Sequence, residues 1–597
     1  MGESRNITQL CFGLFPHLLR RIWDCPPPNI TEYRQKKICF VMMRVNYTNV
    51  GIAISLLVVC FIFFRLAQRS HLLETQLRST DALESSSREK LTHTRDSKFK
   101  EVRKAIDNLK QELFESKKVK SEAERMEFGK RKFAGHKLVH LDLKGAPPKM
   151  EYLLKILPDF KKWGANGLLV EYEDMFPYKG KYKVLQAKSP YREEEIKQLL
   201  DAASENEMIV IPLLQTFGHL EFVLKLKEFS HLRETEHFTN SLCPNNKESL
   251  PMVIELIDQV LALHPDIEWF HIGGDEVWNL KTCSVCTKDK RDKSELFIHH
   301  MMPILKHLKD KGVTPIMWDD MMRNWPVEFL KELGSFVEPM VWAYTSDLSG
   351  YFPSGMWDRY GKAFNNIWAA SAFKGATDPW SNFVPVGFHV QNNLNWLDII
   401  DKLPDSLKMT GIALTGWSRY DHYATLCELL PAALPSLAYC LQALSNGYMD
   451  KDIIKSIAEE LGLPEAFQLT VNRFPERYHP PDGNFPGHEI FKMVGQLEKG
   501  IYLARGVQNI EQGWLQERQV QSKFLSYYQV ESAFNRSFMA LNIFTTLRNE
   551  AQSVLSPVFN EFVVQEWVKD KLDHSIHQLE KQKTEINALR KVAAANK

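Results

Sequence analysis

From Lys137 onward the sequence alternates short apolar runs with longer stretches of helical period, and few folds accommodate that rhythm. The apolar runs are Lys137–Leu143, Gly167–Tyr172, Met208–Gln215, Trp269–Gly274, Thr314–Asp320, Val337–Tyr344, Asn366–Phe373 and Gly411–Trp417. Helical stretches lie between them, among them Lys149–Trp163, Arg192–Asn206, Glu248–His264, Lys293–Lys311 and Val390–Lys402. Strands linked through helices run parallel, because only antiparallel neighbours can be joined by a tight turn. Eight such units predict an α/β fold with a closed (β/α)8 barrel, the TIM barrel. An open doubly wound sheet is the alternative. That fold usually shows a glycine-rich phosphate turn after its first strand, and Leu143-Lys-Gly-Ala-Pro-Pro148 is not one.

The barrel accounts for residues 136–486 of 597, so the remainder needs its own reading. Twenty residues without a charge, Val45–Phe64, stand between Arg44 and Arg65, which is about the length that spans a bilayer. We read residues 45–64 as a transmembrane anchor in a lipid bilayer, behind an N-terminal tail of residues 1–44. A cleaved signal peptide would start near residue 1. Arg34, Lys36, Lys37 and Arg44 precede the span, while Arg65, Arg69 and Arg78 follow it. That balance favours, by one residue, a cytoplasmic N-terminus and a lumenal catalytic domain, a type II arrangement in the endomembrane system. The cytosol-facing orientation stays open. The sequons Asn6-Ile-Thr and Asn29-Ile-Thr lie before the span, Asn46-Tyr-Thr at its start and Asn535-Arg-Ser far after it.

Residues 65–135 contain no proline, 18 Lys/Arg and 12 Asp/Glu, and read as a charged helical stalk or as a solvated linker. Residues 487–597 are polar with helical period and read as a helical C-terminal extension. A homo-oligomer through the stalk or these helices is one use for them. Overall, 75 Lys/Arg against 74 Asp/Glu leave no basic field, which disfavours nucleic acid as a partner.

In a barrel of this kind the chemistry lies at the C-terminal ends of the strands. The fourth run ends Phe270-His-Ile-Gly-Gly-Asp-Glu-Val-Trp278. Neighbouring side chains on a strand face opposite ways, so Asp275 and Glu276 can share a ligand only if the chain leaves β geometry. Gly273-Gly274 supplies that freedom. Two close carboxylates also resist ionising together, which lets one stay protonated as a general acid.

His271-Ile-Gly-Gly-Asp-Glu-Val277 resembles the signature of family 20 glycoside hydrolases, the β-N-acetylhexosaminidases. The likeness extends over Leu138–Pro148, Glu171–Tyr178, Gln215–His219, Trp368–Gly375 and Thr415–His422, covering roughly residues 136–450. It implies an exo-acting hydrolase that releases terminal β-linked GalNAc or GlcNAc from N-acetylhexosamine-containing glycoconjugates. The family belongs to the substrate-assisted exceptions to two-carboxylate hydrolysis. Glu276 would be the acid and base, Asp275 would hold the acetamido group, and Tyr344 would support the acetamido oxygen. Trp318, Trp342, Trp368 and Trp417 would stack on the sugar. His219 would stand beside the catalytic pair, partnered by Asp174.

Three positions depart from the family. Its sugar-binding arginine would correspond to Lys137, its Trp-x-Glu on strand eight reads Trp417-Ser-Arg419 with Asp421 as a substitute carboxylate, and its Tyr-x-Asp on strand seven is absent. With the catalytic pair intact and the sugar-reading shell changed, we expect GalNAc to be accepted at least as well as GlcNAc. A barrel that binds N-acetylhexosamines without hydrolysing them is the alternative function. Cys283-Ser-Val-Cys286 invites a metal reading, but zinc needs about four ligands and no second cysteine pair lies nearby. A local disulfide or two unpaired thiols is expected there, with no metal and no organic cofactor.

Overall fold

The computed structural model describes residues 132–464 and 482–595. The tail, the anchor and the stalk as far as residue 131 lie outside the described residues. Among those described, no helix is long and apolar enough to cross a membrane.

All eight apolar runs become strands: β1 His136–Asp142, β2 Gly167–Glu171, β3 Ile209–Leu213, β4 Trp269–His271, β5 Thr314–Trp318, β6 Glu338–Trp342, β7 Asn366–Lys374 and β8 Lys408–Gly416. Each pairs in parallel with its neighbours, and β8 returns to β1 with Leu414 opposite Val139, closing the barrel. A helix follows each strand: α1 Met150–Trp163, α2 Glu193–Glu205, α3 Ser249–Leu263, α4 Lys293–Asp310, α5 Val327–Gly334, α6 Met356–Gly361, α7 Val386–Ile400 and α8 Leu430–Asn446. Local chemistry sets their ends. The Asp292 carboxylate accepts from Glu295 N at 2.8 Å while Glu295 accepts from Asp292 N at 2.7 Å, starting α4 with a capping box. Gly164 closes α1 at φ 108°.

Inside the barrel, Leu138, Leu169, Ile211, Ile316, Met340, Ala370 and Ala413 pack around the indoles of Trp269 and Trp368. Large and small residues share the space: a Cβ on Gly411 would come within 2.2 Å of the Trp368 ring. Trp368 therefore belongs to the barrel interior and not to the sugar site expected for it. Its Nε1 donates to Glu338 at 2.7 Å, and Trp269 meets it edge-on at 5.5 Å. Parallel-strand polarity explains the correction, since Trp368 stands third in a nine-residue strand, toward the end opposite the catalytic face. Replacing Trp368 by Ala is expected to lower stability by about 3–5 kcal/mol, read by denaturant unfolding, while KM of the folded fraction stays unchanged.

The helix α8 is buried on almost every face, with Pro435 inside it, so it lacks the polar stripe that would have announced it. Beyond it, the longer helices among the described residues are α9 Lys451–Glu460, α10 His488–Trp514, α11 Tyr527–Leu555, α12 Glu561–Val568 and α13 His574–Ala595. Val507, Ile510, Val530, Ala533 and Ile586 form a core among α10, α11 and α13. This bundle packs against the barrel through the β1–α1 loop: Lys149 N donates to Val558 O at 2.7 Å, and Pro148 pairs with Phe559. At the other end, Phe133 is buried and donates its N–H to Leu444 O of α8. The last residues of the expected stalk thus lie against the barrel base.

Candidate active site

Every strand run overshoots its strand or stops near its C-terminal end, and there the backbone turns aside to build a pocket of roughly 380 Å³. After His271, the end of β4, Gly273 and Gly274 adopt φ 62° and 86°. A Cβ at Gly273 would lie 1.9 Å from Gln215 Oε1, so only glycine fits there. The chain then reaches Glu276, itself at φ 51°. This departure from strand geometry turns Asp275 and Glu276 toward the same pocket. Glu173 at 44° and His219 at 49° share the left-handed conformation and also line the pocket.

His219 Nε2 stands 3.2 Å from Glu276 Oε2 and 3.6 Å from Asp275 Oδ2, and its Nδ1 stands 3.9 Å from Glu221. Burial opposes charge on the imidazole, but Asp275, the hydrogen bond to Glu276 and Glu221 outweigh it and push its pKa up to about 10. The imidazolium holds Glu276 below the usual carboxylate range. Asp275, only 8 % exposed, goes the other way: burial raises it, and Asp320 and Glu276 add repulsion that His219 only partly offsets. Asp275 lines the pocket, and its Oδ1 is buried and accepts no hydrogen bond, an acceptor left without a partner. Asp320 fixes the pair from behind, accepting from Glu276 N at 3.0 Å and from Trp342 Nε1 at 3.2 Å. The loops after β3 and β4 touch through backbone, since a Cβ on Gly218 would meet Asp275 O at 2.0 Å.

Trp318, Trp342 and Trp417 form the apolar wall, with Tyr344 stacked on Trp342 at 5.4 Å and 24°. Burial raises the Tyr344 hydroxyl far above its ordinary range, so it stays a neutral donor. Asp421 lines the pocket and accepts from the N–H of Tyr423 and Ala424.

Two expected residues fall elsewhere. Lys137 is the second residue of β1 and its Nζ reaches Phe133 O, at the end of the barrel away from the pocket. It is five residues before Asp142, about 16 Å along the strand. Asp174 does not partner His219; it lies 3.7 Å from Lys225 and 3.8 Å from His422, and Glu221 stands beside the histidine instead.

The lysine that lines the pocket is Lys144, two residues beyond the end of β1, buried at 3.1 Å from Asp142 and 3.6 Å from Glu173 and lying over the Trp417 ring at 4.8 Å. Glu171 faces it with Gln215, while Glu173 meets His422 at 2.5 Å. Burial raises Glu173 and lowers His422 to about 4, so the site disfavours charge on both. Lys144, Glu171, Glu173, Gln215, Glu221 and His422 all line the pocket and were missed from sequence. The usable signal was position, since Lys144 and Glu171 stand at strand ends. Arg419, at the expected strand-eight carboxylate position, is paired with Glu566 of α12.

Of the two arrangements expected at Cys283 and Cys286, a local disulfide or two unpaired thiols, the structure has the thiols free.

A carboxylate pair, an indole wall and several buried charges thus meet at the C-terminal face of a closed eight-stranded parallel barrel, the arrangement of a barrel enzyme. Residues 154–354 match the family described as Glycosyl hydrolase family 20, catalytic domain. The chain is 41% identical to human hexosaminidase D over 460 residues, 74% of this chain and 93% of that protein. It is 45% identical to bovine hexosaminidase D over 347 residues, 56% of this chain and all of that protein. A β-hexosaminidase of Porphyromonas gingivalis is 28% identical over 151 residues, 22% of this chain and 19% of that protein. The chain belongs to glycosyl hydrolase family 20.

Proposed function

We propose that the protein is an exo-β-N-acetylhexosaminidase acting by a retaining, substrate-assisted mechanism. The observation that carries this is Asp275 Oδ1: a buried, unpartnered acceptor adjacent to Glu276 in a pocket walled by indoles. An acetamido N–H is the donor that fits it. With that N–H held by Asp275 and the acetamido oxygen steadied by Tyr344, the oxygen attacks the anomeric carbon as the glycosidic C–O bond breaks. Glu276 gives its proton to the leaving oxygen. The resulting oxazolinium is cationic, and the Asp275 carboxylate stabilises it in a dry site. Glu276 then takes a proton from water as water opens the ring, restoring the β configuration. No enzyme nucleophile is required, consistent with the exceptional place of this family among glycosidases.

Trp318, Trp342 and Trp417 stack on the sugar and its methyl group, while Lys144, Asp421 and the neighbouring acids read the hydroxyls. Release of aryl alcohol from aryl N-acetyl-β-hexosaminides tests the reading. We expect turnover of the galacto substrate at a kcat/KM at least equal to that of the gluco substrate. A strong gluco preference would sink the specificity claim. Tight binding of an oxazoline mimic without turnover would favour a sugar-binding barrel instead.

His219 sets the working pH. Replacing it with Gln removes the charge that depresses Glu276, so the acid stays protonated to higher pH. Asp275 loses the same stabilising charge and needs a higher pH to ionise. Both limbs of the kcat/KM profile should therefore move upward in pH, and a profile that moves down or stays put contradicts the assignment.

The anchor at 45–64, a lumenal catalytic domain and a homo-oligomer through the stalk or the C-terminal helices remain part of this proposal. The uncharged run supports the anchor, and the exposed Asn535 of the Asn535-Arg-Ser sequon is a site that can report orientation. A glycan on Asn535 in cells would place the barrel in the lumen.

A further inference from the structure

One cluster outside the pocket has no part in this chemistry. A two-stranded ribbon, Arg233–Thr235 with Phe238–Leu242, lies in the connection between β3 and α3. Glu234 is in its first strand and Cys243 directly follows its second, while Cys283 and Cys286 lie in the turns after Glu276. Cys243 Sγ is 3.6 Å from Cys283 Sγ and 3.6 Å from Cys286 Sγ. One ligand atom from each of the four residues lies within 4.8 Å of all the others.

A disulfide would need about 2.0 Å, and three sulfurs cannot all pair with one another. Zinc–thiolate bonds of about 2.3 Å in a tetrahedron put sulfurs about 3.8 Å apart, close to the spacing seen. The carboxylate is oriented for the same purpose. Glu234 Oε1 accepts from Thr282 N at 2.7 Å and Cys283 N at 3.1 Å. Its Oε2 is buried, and no nitrogen or oxygen donor reaches it, so only the thiols face it. A carboxylate oxygen shut away with three thiols is satisfied by a cation. An outer layer of donors is also present: Cys286 N–H points to Cys283 Sγ at 3.2 Å, and Asn245 Nδ2 points to Cys286 Sγ at 3.4 Å. Arg291, itself paired with Asp289 at 2.6 Å, donates to Asn245 Oδ1 at 3.1 Å and so holds that donor in place.

We propose that Glu234, Cys243, Cys283 and Cys286 hold a structural zinc ion in a closed four-ligand shell. Three sulfurs and one oxygen suit zinc better than the hard cations, and four protein ligands leave no position for substrate. Binding displaces the thiol protons to water. The ion joins two loops that matter to catalysis. The ribbon is tied to the His219 segment by Leu220 N to Asn240 O at 3.2 Å and Leu242 N to Phe217 O at 3.1 Å. Cys283 and Cys286 fix the segment leaving Glu276. Zinc would thus clamp the histidine loop to the acid loop from outside the pocket. This departs from the metal-free site expected from sequence, where the search for a second cysteine pair overlooked a lone cysteine and a glutamate some forty positions earlier.

The full-length chain, produced with zinc in the medium and purified without chelator, should carry about one zinc per chain by elemental mass spectrometry. Cys243→Ser and Cys286→Ser should abolish that content. Glu234→Gln, which keeps all three sulfurs, should lose zinc to a chromophoric chelator at least about tenfold more readily. A mercurial should release zinc in step with modification of three thiols, and Glu276→Gln should retain its zinc, separating this site from the catalytic one. Wild-type protein without zinc but with three freely reactive thiols would overturn the proposal. So would a disulfide among these cysteines in the non-reduced intact mass. Should the serine variants fail to fold, wild-type metal content and Glu234→Gln still decide.

Discussion

Glu276→Gln should lower kcat by about 10²–10⁴-fold on a substrate with a poor leaving group, with KM little changed. The amide keeps the shape of the side chain and can still meet His219, so the pocket should hold its geometry. What disappears is the proton for the leaving oxygen and, later, the base for water. The size of the loss should depend on the aglycone. A strongly acidic phenol departs without a proton, so the first step recovers with such a substrate while the second does not. A burst of phenol followed by slow turnover is the expected trace. An equal loss across all leaving groups in the first turnover would contradict the acid role.

Asp275→Asn is expected to cost about 10²–10³-fold in kcat, similar to removal of one preorganised electrostatic group from an active site. Its effect works through charge and through the proton inventory. In the free protein burial raises Asp275 while His219 depresses Glu276, so the two carboxyls are biased in the direction opposite to their roles. An acetamido N–H arriving at Asp275 Oδ1 stabilises its ionised form, which favours a proton on Glu276. Substrate thereby prepares the acid that cleaves it. Asparagine cannot ionise, so it forfeits both that effect and the stabilisation of the oxazolinium. Affinity for a neutral N-acetylhexosamine should fall much less than affinity for a cationic oxazolinium mimic. Equal losses for the two ligands would refute the electrostatic role.

The barrel was legible because its strands are apolar on both faces and its crossovers carry a polar stripe, two patterns that survive in a linear string. The α8 segment was not, since burial on all sides erases its stripe. The catalytic pair was legible for a different reason: two adjacent carboxylates after Gly273-Gly274 break the alternation that a strand imposes. Lys144 illustrates what was lost. Lys137 and Lys144 lie seven positions apart on the same strand and its exit, and only the direction of the strand tells which one faces the sugar. Trp368 was misplaced by the same ambiguity of depth, since an indole looks alike at either end of a barrel. Glu221 and His422 depend on loops whose paths no periodicity encodes.

The left-handed backbone at Glu173, His219 and Glu276 has a consequence for how this protein can change. Each such residue sits roughly 1–2 kcal/mol above a relaxed conformation, and glycine would relieve it. The same substitution at Glu276 erases the acid. Selection for heat tolerance alone would therefore drift toward inert, sturdier barrels, and only continued demand for turnover keeps these three side chains in their uncomfortable posture.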